Sequence, residues 1–417
     1  MSDDYDVAVI GAGAAGLAAG AALAASGVRF VVLEAADRTG GRAFTDTETF
    51  DRPWDLGCHW LHSADHNPFT AIADRLGFAY GSTPTRLVRN LFFDGAWASA
   101  PTAGSAAHAV DSAFAAVRAA GLAGRDVAAS AVVADAGCWN PLVRHWLALM
   151  TASPPEDVST ADFAAYSGTE ANWPVLDGYG ALVRANGAAV PVTLACPVTD
   201  LDWSRPQVRL STPRGTVTAR AAIVCVPVPV IAQGRLAFAP ALPPPLAEAF
   251  AGLTLGVAEK VAIGFDRDVF GFSERTAVTV CSGGRAPVNF QILAGPQPVA
   301  IGHIAGDTAA ALVRSGEAAM SDFVLAALSD AFGSEISRHV GRVRATSWAR
   351  DPWIGGGYSS ALPGRAHLRE RLLAPLGDRV FFAGEAVARS DFSTCHGAHL
   401  SGIAAARACL AAMSRAA

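Results

Sequence analysis

Glycine turns, a lysine inside an apolar strand pattern, and scattered histidines, tyrosines and acids are the residues of this 417-residue chain whose types and spacing could do chemistry. The first such run is Gly11-Ala12-Gly13-Ala14-Ala15-Gly16. Gly11 permits a tight turn, Gly13 lets the backbone approach a pyrophosphate, and Gly16 lets a following helix pack closely on a sheet. The N–H groups at the N-terminus of that helix then face the phosphates with partial positive charge, and Ala14 and Ala15 of the turn are expected to contact the cofactor. Glu34, followed by Ala35, is placed to accept hydrogen bonds from both hydroxyls of a ribose, which favours a dinucleotide with an unphosphorylated adenosine ribose.

The elements that must position this turn are readable around it. Tyr5 to Ile10 is a short β-branched run of the kind that fills a buried parallel strand, Leu17 to Ser26 reads as an alanine-rich helix closed by Gly27, and Val28 to Leu33 reads as a second strand. The result is a βαβ unit with an acid at the tip of its second strand. Asp37-Arg38-Thr39-Gly40-Gly41-Arg42 then supplies a second glycine turn flanked by arginines. A nicotinamide enzyme has no physical need for it, whereas a long, fixed FAD benefits from another backbone approach at Gly41 and from guanidinium groups at Arg38 and Arg42. FAD is the expected cofactor. At the far end, Arg379 to Phe382 reads as another buried strand running into Ala383-Gly384-Glu385, and Thr394-Cys395-His396-Gly397-Ala398 precedes an alanine-rich helix expected from Ile403.

These runs resemble the flavin-containing amine oxidases, which share the E-x-x-x-R-x-G-G-R run with carotenoid desaturases and protoporphyrinogen oxidases and close on F-A-G-E and H-G-A-x-x-S-G. The resemblance implies an α/β fold: a Rossmann-type FAD-binding domain with an inserted α+β substrate domain, as in other two-domain flavoproteins of the amine oxidase and glutathione reductase kind. The expected boundaries are 1–75, 186–235 and 346–417 for the FAD domain, and 76–185 and 236–345 for the substrate domain. By the same resemblance Gly384 and Glu385 meet the ribityl chain, Thr394, Cys395 and Ala398 lie near the flavin ring, and the backbone near Val198 meets the adenine. Ala36 stands where the family commonly has an arginine, and Arg38 and Arg42 are expected to suffice.

A lysine entering an apolar strand is costly to bury unless water or a partner takes its charge. Lys260, in Gly256-Val-Ala-Glu-Lys260-Val261, matches the family's G-x-x-x-K-V context, where the lysine holds a water against flavin N5. Tyr358 matches the aromatic residue that guides the amine nitrogen. Gly357 stands where monoamine oxidases carry the cysteine that binds their flavin covalently, so the FAD is expected to be non-covalent. Thr394 replaces the second tyrosine of the monoamine oxidase cage and leans the resemblance towards polyamine oxidases and histone-lysine demethylases, with Trp60 or Trp353 as a substitute wall. Gly57-Cys58-His59-Trp60-Leu61-His62-Ser63 matches the G-x-x-W-x-H-G run on the re face of the flavin, where the histidine, here His62, lines the substrate tunnel; Ser63 replaces the usual glycine.

Composition sets the outer limits. Half the residues are hydrophobic and 17% charged, too apolar for a disordered chain and too many for one ordinary core. A net charge of -5 without a basic cluster argues against nucleic acid. No run of about 18 uncharged apolar residues suggests a membrane span, and no signal peptide or anchor is expected. Seven dispersed cysteines without a CxxC pair suit reduced thiols in the cytoplasm. Cys58, His59 and His62, and Cys395, His396 and His399, hold metal-ligand atoms, but both runs fit the flavin motif and no metal is expected. Short strands are expected at 198–203, 208–210, 216–218 and 222–226, and about four strands, where the family would place six, in a substrate-domain sheet that includes Val261, Val278–Val280, Val288–Leu293 and Val299–Ile304, with helices from Thr308 and Ser321.

The resemblance implies oxidation of a C–N bond in a primary, secondary or polyamine: hydride transfer to flavin N5, hydrolysis of the imine, and reoxidation by dioxygen with release of hydrogen peroxide. Lys260, Tyr358 and His62 are the expected catalytic residues. Related readings are a C–C desaturase or oxidase, an amine dehydrogenase passing electrons to a redox protein, and a flavin-stabilised scaffold without turnover. A homodimer is only the commonest default.

Overall fold

The computed structural model describes residues 4–82, 88 and 90–415, so the expected domain limits at residues 1 and 417 lie outside the described residues. Strand β1 (Asp4–Ile10) buries Val7, Ala8 and Val9 completely, because helices or loops cover both faces, and this is why its sequence is an unbroken apolar run. It leads into helix α1 (Ala14–Ala25) and strand β2 (Phe30–Leu33), and β1 and β2 pair in parallel.

An eight-stranded sheet grows around this unit from distant pieces of chain. Its order runs Ala237–Ala239, Asp200–Asp202, Val208–Thr212, Gly215–Val224, β1, β2 and Val192–Thr193, with Val380–Phe382 paired alongside the Gly215–Val224 strand. The separate strands expected at 216–218 and 222–226 are one continuous strand that stops before Val226. Parallel register places Ile10 beside Val224 and Val224 beside Phe382, so Gly11, Cys225 and Ala383 leave the sheet together at the carboxyl ends of their strands. In open parallel sheets that edge is where ligands bind.

The closing helix runs from Cys395 to Arg415, eight positions earlier than its expected start at Ile403. It packs along α1, and a Cβ built on Gly402 would lie 2.1 Å from the Ala15 carbonyl oxygen. The helix Tyr179–Asn186 adds Tyr179, Leu182 and Val183 to the same core.

A second sheet has seven strands, in the order Val340–Ala345, Ala258–Phe265, Val299–Ala305, Val288–Leu293, Thr276–Cys281, Leu91–Phe93 and Ala96–Trp97. The four expected from sequence are present, and the three extra strands lie at its edges. Val261, Ile263, Val278, Phe290 and Ile292 form one face against the helices Gly306–Ser315 and Glu317–Phe332. Lys260, His303, Asn289 and Thr279 stand opposite one another across four strands and therefore share the other face.

Candidate active site

The turn after β1 is shaped by what its glycines exclude. Gly11 has a φ of +98°, and a Cβ on Gly16 would lie 1.8 Å from the Gly11 carbonyl oxygen, so α1 starts directly on the turn. Among the described residues no side chain caps that helix, whose N-cap is Gly13 and whose first N–H groups are those of Ala14 and Ala15. The second glycine turn nests on the first: Gly40 N–H donates to the Ala12 carbonyl at 2.8 Å, and a Cβ on Gly41 would sit 3.3 Å from Gly13 Cα.

Glu34 is buried at the tip of β2 and accepts from the Ala12 N–H at 2.5 Å and the Ala36 N–H at 2.9 Å. Burial raises its pKa, and these N–H groups only partly counter it. It therefore holds the glycine turn against the strand tip. Ala195 and Cys196 N–H groups donate to the carbonyls of Ala36 and Glu34, and the buried Val198 lies in one apolar cluster with Leu33 and Cys196. Arg38 curls back to donate to the Gly41 carbonyl at 2.8 Å and lies over the Phe44 ring, so its guanidinium braces the second turn from behind.

Arg42 and Glu385 join the two ends of the chain. Arg42 Nη1 donates to Glu385 Oε1 at 3.0 Å and to the Gly357 carbonyl at 2.5 Å, while Glu385 Oε2 accepts from Ser359 Oγ at 2.6 Å and the Ser393 N–H at 3.0 Å. Arg42, Cys225, Val226, Gly384 and Glu385 line one cleft at the carboxyl ends of the strands. Thr394 caps the closing helix, its Oγ1 accepting from the Gly397 N–H at 3.0 Å, with Cys395 and Ala398 in the first turn that follows. Behind Ser359, Arg369 makes a buried, two-bonded pair with Asp162, at 2.5 and 2.9 Å.

Lys260 reaches from the second sheet into the Asp55–His62 run. Its Nζ donates to the carbonyls of Asp55, at 2.8 Å, and Gly57, at 2.6 Å, and burial lowers its pKa to about 8. The close approach of that run is set at Gly57, where a Cβ would lie 1.7 Å from the Arg42 carbonyl oxygen. The Asp55 carboxylate is buried, which by itself raises its pKa, but bonds from His59, Thr45 and the Tyr179 N–H outweigh burial and hold it low. His59 lies between charges: Nδ1 is 3.2 Å from Asp55 and Nε2 2.9 Å from an Arg275 guanidinium nitrogen. Burial lowers the imidazole to about 4, so it is neutral, donating from Nδ1 to Asp55 and accepting from Arg275 at Nε2.

Tyr358 leaves Gly357 and donates its hydroxyl to the Leu149 carbonyl, and burial raises its pKa. Cys58 and Cys395 bring the two motif runs side by side; the neighbouring thiol and burial push the Cys58 thiol well up. Trp60 stands edge-on to His59, with ring centroids 5.1 Å apart. Trp353 is half-buried and packs against the core cluster that includes Val228 and Ile231. His62 Nδ1 lies 2.7 Å from Asn172 Oδ1, and Ser63 has a φ of +52°, the left-handed conformation that explains a glycine at this place in related chains.

Asp55, Arg275, Asn172 and the Arg369–Asp162 pair are not among the residues expected from the sequence. Asp55, two residues before Gly57 in a motif run, carried a usable signal; the others become neighbours only through sheet register and helix packing. Among the described residues, no group of three His, Cys, Asp or Glu is arranged to hold a metal ion. No described helix is long and apolar enough to cross a membrane.

A family model described as flavin containing amine oxidoreductase matches residues 14–96 and 126–410. The chain is 28% identical to a probable polyamine oxidase 4 of Arabidopsis thaliana, over 97% of this chain and 86% of that protein. It is 25% identical to the human lysine-specific histone demethylase 2, over 97% of this chain and only 53% of that protein. Among solved structures, a putrescine oxidase with bound putrescine superposes with a TM-score of 0.80 at 19% identity, covering 99% of this chain and all of that one. Cyclohexylamine oxidase from Brevibacterium oxydans IH-35A superposes equally well, with a TM-score of 0.80 at 21% identity and the same coverage.

Proposed function

The chain belongs to the flavin-containing amine oxidoreductases, and from that premise we propose that it oxidises the C–N bond of a small primary, secondary or polyamine and returns its electrons to dioxygen. The observation that carries the reading is that the second glycine turn nests on the first at the carboxyl ends of the parallel strands, that Arg42, just after it, lines one cleft there with Gly384 and Glu385, and that Lys260 is hydrogen-bonded to the Gly57 run.

The residues fit a non-covalent FAD. The start of α1 at Gly13, Ala14 and Ala15 would take the pyrophosphate, because among the described residues no side chain caps it. Glu34 would keep one lone pair on each oxygen for ribose hydroxyls, Val198 would border the adenine, and Arg42, Gly384 and Glu385 would line the ribityl path. Gly57 to Trp60 and Thr394 to Ala398 would flank the ring. When bound, the flavin accepts a hydride equivalent from the amine α-carbon and yields hydrogen peroxide on reoxidation by dioxygen.

The chain's own residues control charge and orientation. Lys260 is fixed by two carbonyls, and its third N–H, without a partner among the described residues, would hold a water and add positive charge where oxygen would be reduced. Tyr358 is anchored to the Leu149 carbonyl and so offers a fixed aromatic face to guide an amine nitrogen. His62 would line the substrate path, and burial lowers its pKa, so it adds no positive charge that would repel an ammonium. The substrate unit would comprise 76–185 and 236–345, inserted between the pieces of the FAD unit. The seven free cysteines fit a cytoplasmic protein.

The test is anaerobic mixing of the yellow holoenzyme with benzylamine, putrescine, spermidine and cyclic amines while following the flavin band at about 450 nm. Bleaching by an amine, reversed by air with peroxide release, is the expected result. A holoenzyme that no amine bleaches would overturn the assignment in favour of C–C oxidation or a non-catalytic role.

A further inference from the structure

We infer that His145, Gln291 and His303 form a subsite for the far end of the substrate, and that this end carries an uncharged hydrogen-bonding group, a hydroxyl or an amide, in place of a second ammonium. The inference rests on the proposed function and narrows its substrate to one class, monoamines with a neutral polar tail.

One face of the second sheet builds the subsite. Lys260, His303, Asn289 and Thr279 stand opposite one another across four strands, and Gln291, two residues beyond Asn289, lies on the same face. On one side of this row Ala262, Ile301 and Leu293 pack with Phe50 and Trp54. On the other, Cys281 packs with Leu142 and Trp146 of the helix Asn140–Thr151. The polar side chains therefore form a strip between two apolar clusters.

The same helix carries His145. It packs on the strand Val299–Ala305, and its Ala148 Cβ would lie 3.0 Å from a Cβ built on Gly306. The Leu149 carbonyl, one turn after His145, takes the Tyr358 hydroxyl. His145 is thus a turn away from the anchor of the aromatic ring that would guide the amine nitrogen, and His303 is the cross-strand neighbour of Lys260. His145 and Gln291 are buried, at 8% and 5% exposure, yet His145 Nε2, Gln291 Oε1 and His303 Nε2 have no hydrogen-bond partner among the described residues. A buried polar atom left unpaired is costly, so three on one side of the sheet call for a partner that enters with the substrate.

The chemistry of that partner follows from charge and from donor count. Burial holds His145 at about 3, and burial together with Lys260, His59 and His145 holds His303 well below its ordinary value, so both rings are neutral at neutral pH. Neutral imidazoles and amides each donate and accept, which suits a hydroxyl or an amide, since these do both. An ammonium only donates, and Lys260 would repel it. Every buried carboxylate among the described residues is already bonded, including Asp55 beside Lys260, so none is left to pair with it. A carboxylate tail only accepts, and the nearby cations are committed, Lys260 to two carbonyls and Arg275 to His59, so the cost of desolvating it would not be offset.

The experiment measures kcat/KM on the holoenzyme at neutral pH for pentylamine, aminopentanol, cadaverine and aminopentanoate, amines of one chain length that reach across one direct or diagonal strand step of about 5–8 Å. The alcohol is expected to exceed pentylamine by about tenfold or more, and the diamine and the amino acid to fall below pentylamine. Gln291→Leu and His145→Phe should each bring the ratio of alcohol to pentylamine towards one, and Gln291→Glu, which supplies a carboxylate, should raise the diamine above the alcohol. A wild type that prefers the diamine or the amino acid, that does not distinguish the alcohol from pentylamine, or whose ratio survives both Gln291→Leu and His145→Phe overturns the inference. The same order is read without turnover by titrating the flavin absorbance with each compound, so a protein that binds these amines and oxidises none would sink the proposed function while the subsite is still decided on its own.

Discussion

Gly402→Ala puts the contact between the first and last helices to a quantitative test. The added Cβ would lie 2.1 Å from the Ala15 carbonyl oxygen and 2.8 Å from its carbon, both backbone atoms that cannot swing aside. An ordinary carbon–oxygen approach is about 3.3 Å, so the helices must part by roughly 1.2 Å. Overpacking of this kind costs about 3 kcal/mol, offset by roughly 1 kcal/mol of improved helix propensity, for a net loss of about 2 kcal/mol. Gly104→Ala is the matched control, because it lies inside the helix Ala100–Leu122 with nothing within 4 Å of its Cβ, and it should gain about 1 kcal/mol. The same substitution thus carries opposite signs at two sites. Moving Ala15 also moves an N–H of the turn proposed to hold the pyrophosphate, and a shift near 1 Å should weaken FAD binding by tenfold or more. Urea midpoints of both variants and a fluorescence titration with FAD decide the matter. A Gly402→Ala protein as stable as Gly104→Ala, with unchanged FAD affinity, would refute the reasoning.

Lys260 loses its charge as pH rises through about 8, well below an ordinary lysine; stopped-flow reoxidation by dioxygen should therefore slow above that pH, and Lys260→Met should be slow throughout and lose that dependence. His145 is buried, its Nε2 has no partner among the described residues, and burial alone lowers it to about 3. Between pH 6.5 and that value the unfolded chain binds a proton the folded one refuses, so stability falls as pH falls, by on the order of a few kcal/mol, and melting curves of His145→Phe should show a shallower acid limb. Arg369→Ala leaves Asp162 charged and buried and should cost about 3–5 kcal/mol by urea denaturation, with Arg369→Lys keeping part of the loss.

The legible parts of the fold were those where local chemistry and tertiary packing ask for the same residues. Gly11, Gly13 and Gly16 are needed by the turn itself, and the β1 run is apolar because both its faces are covered. The start of the closing helix was not legible, because Gly397 and Gly402 lower helix propensity; they are there so that Gly397 can approach the Asp391 carbonyl and Gly402 that of Ala15. The edge strand Val340–Ala345 was missed because it is largely exposed and carries Arg342 and Arg344, polar residues that guard an edge but blur an apolar pattern. In the site, Lys260 could be singled out by its cost of burial, but its two carbonyl partners could not. Arg275 and Asn172 depend on pairings over more than a hundred residues, and no local spacing encodes those.

The order of assembly during synthesis follows from where the sheet finds its strands. The partner that covers α1 begins at Cys395, roughly 370 residues after α1 ends, and Val380–Phe382 must arrive before its edge of the parallel sheet is complete. At about 5–20 residues per second the N-terminal βαβ unit waits roughly 20–75 s on the ribosome with an apolar helix face unmatched. Contacts this distant in sequence also make for slow folding once the chain is released. The growing chain is therefore a natural client for holding chaperones, and it can close around its cofactor only after almost all of its length has emerged.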